Sequence, residues 1–258
     1  MPIGAVTNYI DVAALVVWAF WFFFFGLVFY IRREDKREGY PAESARMGGA
    51  VKMMEGFPPM PKPKTFTMPH TGKQVVKPGP EPAQYKLNAE PIAPFPGAPL
   101  APTGNPMLAN VGPGSYALRA EEPDLTVDGK PRILPMRVAK EFTVAEGDPD
   151  PRGMPVLGCD REQGGTVRDI WVDRGEPQVR YLELDTKNNK RVLLPIAMCN
   201  VRKAKGVVEV EAITGAQFAD APTLANYDQI TLREEDKVSA YFGAGTLYAT
   251  PDRAEPFL

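Results

Sequence analysis

Hydrophobic and polar positions divide this chain into unlike stretches. Residues 12–31, from Val12 to Ile31, form one uncharged, aromatic-rich run, and Arg32-Arg33-Glu34-Asp35-Lys36-Arg37 follows at once. A helix of that length rises about 30 Å, the thickness of a bilayer's hydrocarbon core. The run holds six Phe, four Val, two Leu and one Ile, which on a translocon scale favour insertion by about 4 to 8 kcal/mol. One membrane-spanning helix is predicted, with residues 1–11 as a short leader. The leader carries no Lys or Arg, whereas Arg32, Arg33, Lys36 and Arg37 flank the other end. The positive-inside rule then puts the N-terminus outside and the bulk of the chain in the cytoplasm. A cleaved signal peptide is the alternative, but it needs a basic n-region and a small-residue cleavage site; here the leader ends on Asp11. The four basic residues are also candidates for contact with anionic lipid headgroups. Tyr9 and Tyr30 suit the two interfaces, while Trp18 and Trp21 sit mid-run.

The next stretch is organised by proline. Residues 41–113 hold 16 of the 28 prolines, as in Phe57-Pro-Pro-Met-Pro-Lys-Pro63. That density excludes helices and central strands. Yet Phe57, Phe66, Tyr85, Leu87, Phe95, Leu100 and Met107 punctuate it, and disordered linkers avoid such residues. The pattern predicts an extended strap over residues 32–113, with edge strands at 65–68 and 74–77. A strap of this length implies a surface to lie on.

Residues 114–222 read as a β-rich domain. Val, Ile, Leu, Tyr and Trp concentrate at 133–138, 155–158, 166–172, 179–184, 191–196 and 207–213. Turn signals separate them at Gly164-Gly165, Arg174–Pro177, Lys187–Lys190 and Lys203–Gly206. Short strands without intervening helices predict a small antiparallel barrel. In the fourth strand Leu182 and Leu184 share one face, and Val179, Tyr181 and Glu183 the other. Both faces are apolar with one acid embedded, so the outer face is expected to be covered. Residues 223–258 hold a C-terminal helix and tail. Thr231-Leu-Arg-Glu234 is a capping box, and Gly243 and Gly245 are expected to stop the helix. The fold class is therefore mainly β with one transmembrane helix.

Composition narrows the chemistry. Thirty Lys+Arg against 32 Asp+Glu give a net charge of −2, which argues against nucleic acid as a partner. One histidine, His70, and two separated cysteines, Cys159 and Cys199, cannot build a zinc, haem or iron–sulfur site or a nucleophile–histidine pair. No metal site is predicted, and no dinucleotide or P-loop motif appears. Carboxylates remain. On a covered apolar face Glu183 would be desolvated and suited to exchanging protons near neutrality; alternatively it faces water or pairs with Arg180 or Arg191. Asp128, in Val127-Asp-Gly129, reads as a turn aspartate.

Several segments together resemble the H-subunit family of purple-bacterial photosynthetic reaction centres. They are Ile31–Pro41 after the span, Gly97–Pro106, Val111–Tyr116, Asp169-Ile-Trp-Val-Asp173, Tyr181-Leu-Glu-Leu184 and Arg233–Val238. The β stretch resembles the PRC-barrel of that family. The resemblance covers essentially the whole chain. It implies a subunit of the bacterial inner, photosynthetic membrane, N-terminus periplasmic, that binds no pigment and caps the cytoplasmic face of the L and M subunits. Those partners hold the bacteriochlorophylls, bacteriopheophytins, quinones and non-haem iron. A tetrahaem cytochrome subunit and a light-harvesting antenna ring are further candidate partners, beside membrane lipids. The implied role is to stabilise the complex, shield the quinones and assist proton transfer to the secondary quinone. Glu183 matches the family's glutamate near that quinone, and Asp128 its aspartate at the proton entry. The relatives carry two histidines just after that Asp-Gly; here Lys130 and Arg132 stand nearby, and neither replaces imidazole as a relay. Zinc or cadmium inhibition at this spot is expected to be weak or absent. The competing readings are a membrane-anchored PRC-barrel adaptor without a photochemical role and an enzyme using Asp128 and Glu183 as an acid pair.

Overall fold

The computed structural model describes residues 4, 6, 7, 11–45, 51–79, 87–95 and 97–253, with backbone alone at 43–45 and 51–53. Tyr9, Tyr85, most of the leader and the tail from 254 onward lie outside the described residues. The chain divides into two compact units, residues 1–85 with 94–98, and residues 86–93 with 99–258.

In the first unit the apolar run forms α1 (Val12–Asp35), none of whose side chains is buried. Asp11 caps it by accepting the Ala14 N–H at 2.7 Å, which satisfies one of the orphan donors of the first turn. The helix extends four residues past Ile31 and carries Arg32 and Arg33 in its last turn, where positive charge complements the helix dipole. Two antiparallel ribbons follow: β1 (Ala42–Ala45) with β2 (Val51–Met54), and β3 (Lys64–Thr67) with β4 (Gln74–Lys77). The second ribbon matches the expected edge strands to within a residue. Among the described residues the proline-rich stretch holds no α-helix, as missing N–H donors require.

The second unit begins with a third ribbon, β5 (Ala89–Pro91) and β6 (Leu100–Pro102), and two 3-10 turns at Pro106–Leu108 and Gly112–Gly114. Its body is a seven-stranded sheet. The strands are β7 (Ile133–Pro135), β8 (Pro155–Leu157), β9 (Gln163–Asp173), β10 (Gln178–Thr186), β11 (Arg191–Pro195), β12 (Cys199–Arg202) and β13 (Val207–Val210). The order is β11-β10-β9-β8-β13-β12, with β7 also paired to β9. Two features depart from the predicted antiparallel barrel. The sheet path is open between β11 and β12, and β8 and β13 run parallel. Parallel pairing joins strands far apart in sequence, which local alternation does not encode. β12 is a further strand the pattern missed.

The core is dominated by Trp171, Phe218, Phe242, Leu182, Leu184 and Leu194. Helix α2 (Leu232–Tyr248) starts at the predicted capping box, with both reciprocal bonds between Thr231 and Glu234 present. It does not stop at Gly243 or Gly245. A Cβ on Gly243 would sit 2.9 Å from the Pro113 carbonyl oxygen, and one on Gly245 2.4 Å from that of Ala212. These glycines permit close packing of a helix that continues through them. Gly164 and Gly165 are likewise no turn but lie inside β9. A Cβ on Gly164 would fall 2.1 Å from the Phe218 ring, and one on Gly165 2.6 Å from the Asp185 carbonyl oxygen. In both places glycine marks a close approach.

Candidate functional site

The pairing of β9, β10 and β11 builds the site. Across from Glu183 stand Asp169 of β9 and Leu193 of β11, and Trp171 stands across from Tyr181. Opposed residues share a face of the sheet, so Tyr181, Glu183, Asp169 and Trp171 form one patch. The register shifts between Glu183 and Leu184, a bulge that re-aims side chains locally.

Glu183 is wholly buried. Its Oε2 accepts hydrogen bonds from Arg137 at 2.6 Å and from the Trp171 indole N–H at 2.9 Å. Arg191 and Arg168 approach Oε1 at 3.5 and 3.6 Å, yet Oε1 has no hydrogen-bond partner. Burial disfavours a carboxylate, and three guanidinium groups around it favour one. Arg137 is held from several sides. Its backbone and side chain both donate to Asp169 Oδ2, at 3.2 and 3.0 Å, and its other terminal nitrogen reaches the Tyr227 carbonyl and Asp228. Burial works against the Arg137 charge, but the bonds to Glu183 and Asp169 outweigh it and raise its pKa. Arg191 lies over the Tyr227 ring, 3.9 Å from its centre. Beside the cluster opens a cleft of about 850 Å³ lined by Arg137, Lys140, Arg152, Arg168, Asp150 and Asp169.

The outer face of β10 is thus covered at Tyr181 and Glu183 by the same chain, while Val179, also expected under cover, is exposed. Tyr181 donates to Glu235 of α2 at 3.3 Å. Burial raises the Glu235 carboxyl pKa, opposed by its bond to Tyr181 and by Arg180. Of the two arginines in the alternative reading of Glu183, Arg191 approaches it at 3.5 Å, and among the described residues no ion pair joins it to Arg180. Arg137 and Arg168 join Glu183 from positions that the alternation of β10 does not reveal. Arg168 sits one residue before the quoted Asp169–Asp173 segment, a signal that could have found it. Nothing in its local pattern marks Arg137.

Asp128 lies elsewhere, exposed at a tight turn closed by Thr126 N–H to Lys130 O at 2.8 Å, with Gly129 at φ 74. Among the described residues no hydrogen bond or ion pair joins it to the Glu183 cluster. The neighbouring Arg132 is engaged with Asp173 at 2.8 Å and with Asp124 and Glu176. Burial pushes the Asp173 carboxyl up, but Arg132 and the Glu176 and Gly175 N–H groups outweigh it, and its pKa falls. His70 stands at the β3–β4 turn with φ 67.

The basic flank splits in two. Arg32 is exposed, whereas Lys36 is only 2% exposed and donates to the carbonyls of Glu55 and Pro58. Arg37 donates to Glu34 and to the carbonyls of Lys62 and Lys77. Of the four residues expected at lipid headgroups, Lys36 and Arg37 are thus engaged within the chain, and Arg32 is the exposed one. Lys36 and Arg37 donate to carbonyls of the strap, of which that of Pro58 is buried; carbonyls cannot donate to one another and need a donor from elsewhere. Among the described residues no group of three or more His, Cys, Asp or Glu is placed to hold a metal ion.

Comparison with known families gives two matches. Residues 4–138 match the photosynthetic reaction centre H-chain N-terminal region, and residues 144–217 match the PRC-barrel domain. The first spans just over half of the 258 residues and includes α1, a helix long and apolar enough to cross a membrane. This chain therefore belongs to the photosynthetic reaction centre H-chain family, as a membrane-anchored subunit carrying a PRC-barrel domain.

Proposed function

We propose that this chain caps the cytoplasmic face of the reaction-centre L and M subunits, shields their quinones from water, and passes protons toward the secondary quinone through Glu183. The pigments, quinones and non-haem iron belong to those partners, and this chain supplies none of their ligands. In the same reading the N-terminus is periplasmic and the PRC-barrel domain cytoplasmic. A cytochrome subunit and an antenna ring are further neighbours in the photosynthetic membrane.

One observation carries the proton role: a carboxylate wholly removed from solvent keeps one oxygen, Oε1, without a hydrogen-bond donor. Buried polar atoms are nearly always partnered, so that oxygen is the place to accept a proton or a water. Its companion Oε2 is fixed by Arg137 and Trp171, which orients the free oxygen. When Glu183 takes up a proton, Arg137 keeps Asp169 and Asp228 as counter-charges, so the guanidinium is not left unpaired. Asp128, exposed at its turn, serves as a surface collector working with water. The exposed Phe66, Phe95 and Leu100 support a strap that lies against partner subunits.

The test is Glu183→Gln in the assembled complex. The amide keeps shape and can still accept from Arg137 and Trp171, but it cannot take up and release a proton as a carboxyl group does. The proton-coupled second electron transfer to the secondary quinone should slow by about tenfold or more, as expected for removing a general acid. The first transfer should be unaffected. Unchanged second-transfer kinetics from about pH 6 to 9, where an acid relay operates, would remove Glu183 from the route.

A further inference from the structure

Within the first unit the strap does not simply leave the end of α1. Its Phe57 ring meets the Phe29 ring of α1 with centroids 5.8 Å apart. Phe29 lies inside the apolar run, seven residues before Lys36, which is about 10 Å back along the helix axis. The turn from Glu55 to Pro59 therefore reaches back beside the part of the helix that lies in hydrocarbon. Phe57 is 83% exposed, the most exposed phenylalanine of the chain's described residues, and Met54 beside it is exposed too.

The turn is held in that attitude from below. Lys36 donates to the carbonyls of Glu55 and Pro58, on either side of Phe57, and its ammonium lies 5.2 Å from the Tyr40 ring. Pro58 is buried while Phe57 points away. Exposed cations stand at the same end of the helix: Arg32, which reaches Asp35 at 3.5 Å, Lys62, and Lys64, which reaches Glu34 at 2.8 Å. An exposed aromatic side chain above a basic rim is the composition of a membrane-interface anchor.

We propose that the Glu55–Pro59 turn is a second membrane anchor, a wedge that inserts Phe57 between acyl chains beside α1 while anionic lipid headgroups seat on Arg32, Lys62 and Lys64. The occupant is lipid rather than protein because Phe57 packs on a residue of the spanning helix and basic residues there (Arg32, Arg33, Lys36, Arg37, Lys62, Lys64) outnumber the acidic Glu34, Asp35, Glu38 and Glu55. The inference rests on α1 crossing the bilayer and is independent of the proton role of Glu183. It gives the buried Lys36 a purpose: the ammonium organises the turn instead of meeting a headgroup.

Site-directed spin labelling of the full chain tests it, with Cys159 and Cys199 replaced by Ser. One nitroxide is placed at Phe57→Cys, with references at Ile31→Cys in the span and Val127→Cys in the exposed turn beside Asp128. The protein is reconstituted in vesicles of phosphatidylcholine and phosphatidylglycerol. Collision with oxygen should exceed collision with a water-soluble nickel complex severalfold at positions 57 and 31, and the reverse should hold at 127. Nickel access at 57 matching that at 127 would overturn the wedge while a shielded position 31 leaves the span standing. A nickel-accessible position 31 would overturn the span and the wedge with it. Repeating the measurement in the assembled complex covers the protein alternative: loss of both oxygen and nickel collisions at 57 would mean a partner polypeptide sits there, and would also overturn the proposal.

Discussion

The two units bury opposite kinds of residue. The sheet unit turns its large apolar side chains inward, with Trp171, Phe218 and Phe242 fully covered, and also encloses Glu183, Asp173 and Asp169 among arginines. The unit around α1 buries a lysine and leaves Phe57, Phe66 and Met68 at its surface. The first pairs its enclosed acids from within, since Glu183, Asp169 and Asp173 each find a guanidinium, and leaves one buried carboxylate oxygen, Glu183 Oε1, without a hydrogen bond. The second satisfies its backbone carbonyls with Lys36 and Arg37 but leaves its apolar surface to others. Exposed aromatic residues in a unit whose buried lysine is bonded to strap carbonyls mark surface meant for a neighbour, lipid or protein, rather than a poorly made core.

Substitutions can break this contrast. Phe218→Ala empties a fully buried ring site that touches Phe242, and should cost about 3–5 kcal/mol. Urea unfolding followed by Trp171 fluorescence, with Trp18 and Trp21 replaced by Phe, would show it as a lowered midpoint. A loss under 1 kcal/mol would mean that the sheet unit is not packed as described. Arg137→Ala comes next. It removes the shortest bond to Glu183 but leaves Arg191 and Arg168 near the other oxygen, so about 1.5–3 kcal/mol should be lost. In a Glu183→Gln background the same substitution should cost less, because no buried charge is stranded; equal costs in the two backgrounds would refute the pairing.

Acid sharpens the contrast further. The Lys205 and Arg202 side chains hold the Glu209 carboxyl down at about 2, and Arg132 helps lower that of Asp173. A carboxyl whose folded pKa is depressed stabilises the fold above its unfolded value, near 4, and that stability is lost as pH falls through the folded value. The urea midpoint of the sheet unit should therefore be level above about pH 5 and fall steadily between about pH 4 and 2. Asp173→Asn should flatten part of that fall. The smallest effect should come from Phe57→Ala, within about 0.5 kcal/mol in the same unfolding assay, since the ring is already exposed. A large loss there would mean that Phe57 packs on protein in a way its 83% exposure denies.

What local pattern can encode was legible in the chain. The uncharged run from Val12 to Ile31 specified α1, because length and charge alone decide whether a helix can span a bilayer. Thr231 and Glu234 specified the start of α2, since a capping box is a bond between residues three apart. Alternation in β10 marked Glu183 as an acid on an apolar face. Tertiary structure decided whatever depends on residues distant in sequence. It brought Arg137, 46 residues from Glu183, to 2.6 Å from its carboxylate. It turned Gly164, Gly165, Gly243 and Gly245 from expected breaks into points of close approach, paired β8 with β13 in parallel, and folded Lys36 under Phe57. Periodicity reports which face of an element a residue occupies; which partner meets that face is settled only by long-range packing, whose pairings leave no local period to read.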